Sequence, residues 1–494
     1  MHVETLVPYG RRIRELADLH PERQALIEVD PSGLERPTSW PELDRRSRAI
    51  GGLMAGRGVG TTSRVAVALP NSADHLLATV AAWRLGALVV PISPRLPDRE
   101  RDALLEVAAP TLLVSDRDPA SETWQSIGRS DLAAANGEAP VPDVLPQPGK
   151  AIASGGSTGR PKLIIDPRPW GHAADDSAGP EGWEVGFRPG QTQLVCGPLY
   201  HNSPFVWATR GLLLDQTIVL MSRFDAALVV DLIERHRVGW IYLAPTMMRR
   251  ILALPGIEGR DLSSLEAVFH TAGPCPPEVK RGWIALVGAE RLYEAYGSTE
   301  DVGHTRIRGD EWLTHPGSVG RPVDTEILIV GDDGRPVATG EVGEIYMRRP
   351  GASETYAYVG APPARTQGDG FTSVGDLGWL DGKGYLYLAD RRTDLIVSGG
   401  ANVYPAEVEA VLLEHPAVAD VAVIGLPDPE WGRRVHAVVE ARRGAVVDAA
   451  LLDAHARERI ASYKTPKTYD FVERLPRDES GKIRRIALVE ERST

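Results

Sequence analysis

The chain is poor in cysteine: Cys196 and Cys275 are the whole complement in 494 residues. Two thiols cannot build the disulfide framework of small secreted domains or a thiolate metal cluster, so the expected compartment is a reducing cytoplasm. Basic charge is also short. Lys and Arg number 55 against 67 Asp and Glu, a formal charge of −12, which argues against nonspecific binding to nucleic acid or an anionic membrane. No eighteen apolar residues follow one another, so membrane insertion is not expected. The start, Met1 to Leu6, lacks the basic region and apolar stretch of a secretory leader. The expectation is a soluble intracellular protein, and this length calls for more than one hydrophobic core and hence more than one domain.

What is present is alternation. Trp40 to Met54 carries apolar residues at helical spacing, and Val65 to Leu69 reads as a short buried strand ended by Pro70 and Asn71. Asp74 to Leu85 predicts a helix closed by Gly86, and Leu88 to Ile92 the next strand. The pattern returns between Leu194 and Ala244, with strands over 217–221 and 239–243 and a helix over 226–235. Such alternation implies parallel sheets covered by helices. From residue 315 to 390, short alternating runs between Asp-Gly turns predict a small antiparallel β unit. A compact α+β segment follows from residue 394, and 116–150, rich in Asp, Ala, Pro and Gly, reads as a surface connection. The polar run Asp390 to Asp394 between two apolar strands is the candidate hinge.

Four stretches carry chemistry. In Ser154-Gly-Gly-Ser-Thr-Gly-Arg-Pro-Lys162, the glycines Gly155, Gly156 and Gly159 remove β-carbons that would keep a phosphate from backbone amides. Ser154, Ser157 and Thr158 add hydroxyl donors and Lys162 a positive charge. It is not the P-loop pattern, which needs Gly-Lys-Ser/Thr opening a helix: Pro161 intervenes here and Leu163-Ile-Ile165 follows like a strand. A flexible hairpin loop is the plainer alternative. Tyr296-Gly297-Ser298-Thr299-Glu300 offers an aromatic face for a purine, hydroxyls for phosphate oxygens and a carboxylate for Mg²⁺; the alternative is a surface turn. Asp376, between Gly375 and Leu377-Gly378, suits the vicinal diol of a ribose, with Arg391 as a second donor; both also read as ordinary turn charges. Lys482, presented by Gly481 near the C-terminus, has the reach to bring a point charge to an anionic transition state, or is one more surface lysine.

Together, and in this order, these stretches resemble the adenylate-forming superfamily of acyl-CoA synthetases, peptide-synthetase adenylation domains and luciferases. Further matches are Pro198-Leu-Tyr-His201-Asn202, the segment of a gating aromatic or histidine, and Thr271-Ala272-Gly273-Pro274, the adenine-side loop. Ser398 to Glu409 resembles the loop and helix start beyond the hinge. The resemblance implies a fold of a large N-terminal domain of helix-covered sheets plus a β unit (residues 1–391), a hinge at 392–394, and a mobile α+β lid (395–494) carrying Lys482. It also implies two half-reactions. ATP, with Mg²⁺ held by Glu300, and a carboxylic acid give an acyl-adenylate and pyrophosphate; the acyl group then passes to CoA. Lys482, Thr299, Glu300 and His201 are the implied catalytic residues.

By the same resemblance, residues 154–162, 272–274 and 296–298 with Asp376 and Arg391 bind ATP. His201, Asn202, Phe205, His270, Thr271, Ala272, Gly273 and His304 line the acid pocket, and Gly399, Gly400, Trp431 and Lys464 line the acceptor channel. The small Ala272 and Gly273 leave room for an aryl or bulky cyclic acid. The rival activity is an amide bond synthetase that captures the adenylate with a free amine; no motif separates the two. A noncatalytic nucleotide sensor is disfavoured because Lys482, Glu300 and Asp376 are all retained. Two departures from the family's pattern stand out: Thr393 at a hinge position that is commonly Asp or Lys, and Gly156 where a hydroxyl residue is commoner. Cys275 is expected to fill core space.

Overall fold

The computed structural model describes residues 6–117, 124–136, 141–155, 161–173, 185–352, 354–398, 401–478 and 482–493. The expected alternation is there. The helix Trp40–Gly56 is capped by Ser39, whose hydroxyl accepts from the Glu42 amide, and Ala73–Arg84 is capped in the same way by Ser72 through the His75 amide. The second of these is buried on every side, which is why it reads as almost wholly apolar. Its last residue, Arg84, is fully buried, donates to Ser47 and is neutralised by Asp44 and Asp143. The stretch 116–150 is therefore more than the surface connection expected. It contributes the short strand Ser126–Ile127 and the helix Arg129–Ala134, and Asp143 is drawn in because a buried guanidinium must be paired.

Two sheets organise the large domain. One runs, in spatial order, Ala357–Val359, Pro161–Asp166, Lys150–Gly155, Leu88–Pro91, Arg64–Ala68, Leu112–Ser115 and Ser126–Ile127. The other has a parallel block, with Thr192–Val195 between Thr217–Met221 and Trp240–Leu243, continued by Ala267–His270 and Leu292–Gly297. Beyond Leu292–Gly297 the pairing turns antiparallel through His304–Arg308 and Ser318–Val323 to Leu386–Arg391 and Asp376–Leu380. The predicted β unit is thus not a separate body. It is the antiparallel continuation of the parallel sheet, which leaves neither part with an open edge where they meet.

The small C-terminal domain is built on Val418–Asp428, Gly432–Ala441 and Thr468–Val472. Helices Pro405–Leu413 and Ala449–Arg457 cover one face through Val408, Leu412, Leu452 and Ala456, while Arg485–Arg492 covers the other through Leu488. Among the described residues, every buried apolar cluster lies wholly before residue 389 or wholly after residue 395. The two domains therefore share no common core.

Candidate active site

The carboxyl ends of the parallel strands open onto the loops that the motifs occupy, as expected for a ligand crevice in an α/β sheet. Lys150–Gly155 and Pro161–Asp166 form an antiparallel hairpin with Gly155 opposite Pro161. Of the proposed phosphate loop, Ser154 and Gly155 end the first strand and Lys162 lies in the second. Gly156, Ser157, Thr158 and Gly159 lie outside the described residues. Lys162 Nζ is 3.4 Å from the Glu300 carboxylate and 3.8 Å from the ring centre of Tyr358. Tyr358 donates to the same Glu300 oxygen at 2.5 Å. Burial, and then Glu300, push the Tyr358 phenol far above its ordinary value, so it stays a donor.

A second cluster forms where Asp376 and Arg391 face each other as cross-strand partners. Arg391 Nε donates to Asp376 Oδ1 at 3.0 Å and the Tyr296 hydroxyl donates to Oδ2 at 2.7 Å. Asp376 is thus a buried carboxylate with its two oxygens engaged by residues from two separate stretches. The Tyr296 phenol is raised, by burial and then by Asp376. Gly297 and His304 are opposed across the next pair of strands, where a Cβ on Gly297 would press on His304 Cβ at 3.2 Å. The Ser298 hydroxyl is buried with no partner among the described residues. Thr299, at the turn after this strand, is half-buried.

The C-terminal lysine reaches this neighbourhood. Asp478 pins Lys482 at both ends: its amide donates to the Lys482 carbonyl at 2.9 Å, and its carboxylate accepts from the Lys482 amide at 2.9 Å. The Lys482 ammonium is held below its ordinary value by desolvation first and Arg391 next, against the opposing pull of Asp478, Asp376 and Glu300. Its charge therefore acts on both clusters of the large domain. His201 feels the same loop. Burial lowers its imidazole to about 4, with Asp478 pulling up and Lys482 pushing down, and its Nε2 is buried without a partner among the described residues.

The predicted acid-pocket residues divide. Asn202 sits beside His201, its Oδ1 accepting from the buried Lys150 ammonium at 3.1 Å. Thr271 to Pro274 form a loop, exposed over 272–274, in which Ala272 takes a left-handed backbone (φ 78°), an uncommon conformation for a residue with a β-carbon. His304 is half-buried, and its amide donates to Thr325. Phe205 and His270 lie elsewhere. Phe205 is wholly buried, its ring 5.7 Å from Trp83 in the main core. His270 shares the face of Val268, where its ring lies 3.9 Å from Glu294, itself paired with Lys280; the adjacent Phe269 faces the opposite way, with Trp207, Trp240 and Tyr242. Strand alternation at 267–270 puts Phe269, not His270, on that aromatic face.

In the lid, Gly399 and Gly400 lie outside the described residues. Trp431 is exposed at a hairpin end, 5.6 Å from the Lys467 ammonium, and Lys464 is ion-paired with Glu407 at 2.6 Å. Thr393 lies in an exposed turn stabilised by the Asp394 and Leu395 amides donating to the Arg391 carbonyl. Cys275 is half-buried beside the core, its thiol pushed up by burial and then Glu294, as suits a filler rather than a nucleophile. Sequence reasoning missed Tyr358, Lys150 and Asp478. Tyr358 and Lys150 carry no local mark because each matters through a partner far away in the chain, and Asp478 acts on Lys482 through a turn that its sequence alone does not announce.

A carboxylate gripped by an aromatic and an arginine, a lysine–glutamate pair beside a glycine-rich hairpin, and a C-terminal-domain lysine whose charge is felt at both define an adenylate-forming enzyme. Residues 13–357 match the AMP-binding enzyme family and residues 407–482 the AMP-binding enzyme C-terminal domain. The chain is 30% identical to the 2-succinylbenzoate–CoA ligase of Bacillus licheniformis, covering 98% of this chain and 100% of that one. It is 33% identical to a feruloyl-CoA synthase of an Amycolatopsis species, covering 90% and 92%. The o-succinylbenzoate CoA synthetase of Bacillus subtilis, solved with its acyl-adenylate, superposes with a TM-score of 0.82 at 29% identity, covering 98% of each chain. The same enzyme with ATP and a magnesium ion gives 0.82 at 28% identity, covering 98% and 100%. The protein belongs to the AMP-binding enzyme family. Among the described residues, no helix is long and apolar enough to cross a membrane.

Proposed function

We propose that the protein is an ATP-dependent acid–CoA ligase acting on an aryl or bulky cyclic carboxylic acid through an acyl-adenylate. The observation that carries this reading is the grip of Tyr296 and Arg391 on Asp376 together with the Lys162–Glu300–Tyr358 cluster, with the charge of Lys482 from the other domain felt at both. Asp376 and Arg391 hold the ribose, and Tyr296 lies against the adenine beside 272–274. Lys162 and the loop before it hold the leaving pyrophosphate. Thr299 binds the α-phosphate, and Lys482 spans the attacking carboxylate and that phosphate. The work is positioning and charge stabilisation, since phosphoryl chemistry asks little covalent participation of the protein. His201, neutral at physiological pH, stands at the entrance for the acid.

Among the described residues no group of three or more His, Cys, Asp or Glu side chains could hold a metal ion. The buried Glu300 carboxylate, positioned by Tyr358 and Lys162, fits the way magnesium is held when one protein carboxylate and the substrate phosphates share it. Magnesium bound there would offset charge on the phosphates. The relatives act, by their names, on succinylbenzoate and ferulate, which supports an aryl acid. Residues 392–394 are the hinge in this reading, with 1–391 and 395–494 the bodies it joins. The acceptor channel is Gly399 and Gly400, with Trp431 and Lys464 near the CoA nucleotide.

The test is acid-dependent pyrophosphate release across a panel of aryl, polycyclic and short aliphatic acids, with CoA or amines added and products read by mass. Release with an aryl acid and a thioester product supports the proposal. An amide product alone assigns the rival activity, and no release with any acid overturns both.

A further inference from the structure

A carboxylate on the lid is shared between the two domains. Asp420 is buried, and its oxygens accept from both Arg477 and Arg249. Arg477 opens the hairpin that carries Lys482, bridging to Ile483 at its far side. Arg249 belongs to the large domain, on the helix Pro245–Leu252, and its other amino group stands 2.9 Å from Asp420 Oδ2. The fold aims Asp420 at this junction. The strand register slips between Val418 and Asp420, so Val418 and Val421 both pack under the helices while Asp420 joins the face of Ala422, Ile424 and Leu475. That extra residue turns the carboxylate toward the Lys482 hairpin.

The surroundings make this contact matter. No buried apolar cluster spans the domains among the described residues, so polar contacts hold this pose. The Arg484–Glu100 pair also crosses, but it is exposed on both sides and such pairs contribute little. The Asp390 carboxylate accepts from the Ala406 amide close to the hinge itself, where rotation disturbs it least. Arg249 with Asp420 is a two-pronged, part-buried contact that involves none of residues 392–394, the arrangement that favours one pose over another.

We propose that Arg249 and Asp420 form a latch that holds the lid in its adenylating pose, with Arg249 as a positioning residue for Lys482. The latch rests on the ligase reading above. It acts through populations: Arg249 favours the pose in which Lys482 meets the acid and ATP, and must release Asp420 before the lid turns for the second half-reaction. Asp420 keeps Arg477 when Arg249 is replaced, so the lid retains its own ion pair.

The experiment uses the full-length protein with whichever of 2-succinylbenzoate, ferulate or benzoate gives the fastest acid-dependent pyrophosphate exchange. Arg249→Met should lower exchange by about 5- to 50-fold, the range of an ordinary coupling between sites. Its conversion of the pre-made acyl-adenylate with CoA should be unchanged or faster. Arg249→Lys, which keeps the charge but only one of the two prongs, should recover part of the exchange. If Arg249→Met does not fold, Arg249→Gln carries the same comparison. Unchanged exchange, equal loss in both half-reactions, or no recovery in Arg249→Lys overturns the latch while leaving the ligase reading intact. No exchange in the unaltered protein with any acid removes the ligase reading, and the latch with it.

Discussion

Tyr358 and Glu300 share a hydrogen bond of 2.5 Å, and the ring that donates it also lies against the Lys162 ammonium. Tyr358 sits in the edge strand Ala357–Val359, opposite Ile164 of the hairpin that carries Lys162. One aromatic side chain thereby fixes a carboxylate and a cation assigned to the metal and phosphates of ATP. Tyr358→Phe keeps the ring and removes the donor. A hydrogen bond to a buried carboxylate is worth about 1.5–3 kcal/mol, or roughly 10- to 100-fold. Pyrophosphate exchange should fall within that range, with a higher magnesium requirement and a melting temperature lowered by a few degrees. A magnesium titration of the exchange rate reads it, and an unaltered curve would count against Tyr358 as Glu300's support.

Lys482 and Asp376 lead to a second expectation. The lysine is delivered by a hairpin closed on Asp478, and its charge is felt at Asp376. Lys482→Ala should cut adenylation about 10²- to 10³-fold, the loss typical of one preorganised donor. Thioester formation from a pre-made acyl-adenylate should be almost untouched. Single-turnover assays of the two half-reactions separate these outcomes, and a normal adenylation rate would sink the assignment.

Much of this was legible in the sequence, and the unequal success has a physical cause. Strands such as Thr217–Met221 and helices such as Ala226–His236 follow from the apolar period alone, because each buries one face or two in a local pattern. The motif order singled out Asp376 and Arg391 together, and the two do face each other. What stayed hidden depends on pairing between distant segments. The β unit's fusion with the parallel sheet is decided at Ser318–Val323 meeting Leu386–Arg391, a contact no local window contains. His270 and Phe269 are neighbours in sequence, and motif position could not say which of them the pleat turns toward Glu294.

Imidazoles withdrawn from water set an acid limit on stability, the fully buried His270 among them. His75, inside the helix Ala73–Arg84, and His201, under the lid, are each lowered to about 4, chiefly by burial. In the unfolded chain a histidine protonates near 6.5. Between about 6.5 and 4 the unfolded state binds the extra protons, so stability rises with pH through that window and is lost as pH falls through it. The melting temperature should be flat from pH 8 to 7 and decline from pH 6 to 4.5. His201→Asn should flatten part of the decline, as measured by calorimetry at each pH; the same slope in the variant would remove His201 from the account.

Thr393 tests the hinge. Its turn is held by the Asp394 and Leu395 amides bonding to the Arg391 carbonyl, and the Arg392 amide donates to the Gly375 carbonyl. In the proposed reading, rotation of the C-terminal domain changes backbone angles within this short run. Proline fixes φ near −65° and restricts the residue before it, so Thr393→Pro should strand the lid in one pose. Because the pose described here brings Lys482 to Asp376 and Glu300, adenylation should survive at about half or more of its rate while acyl transfer to CoA falls at least about tenfold, as expected when a gating step limits turnover. Burst kinetics would show one equivalent of pyrophosphate released quickly and little thioester after it. Equal losses in both steps would put the moving bond elsewhere between residues 391 and 396.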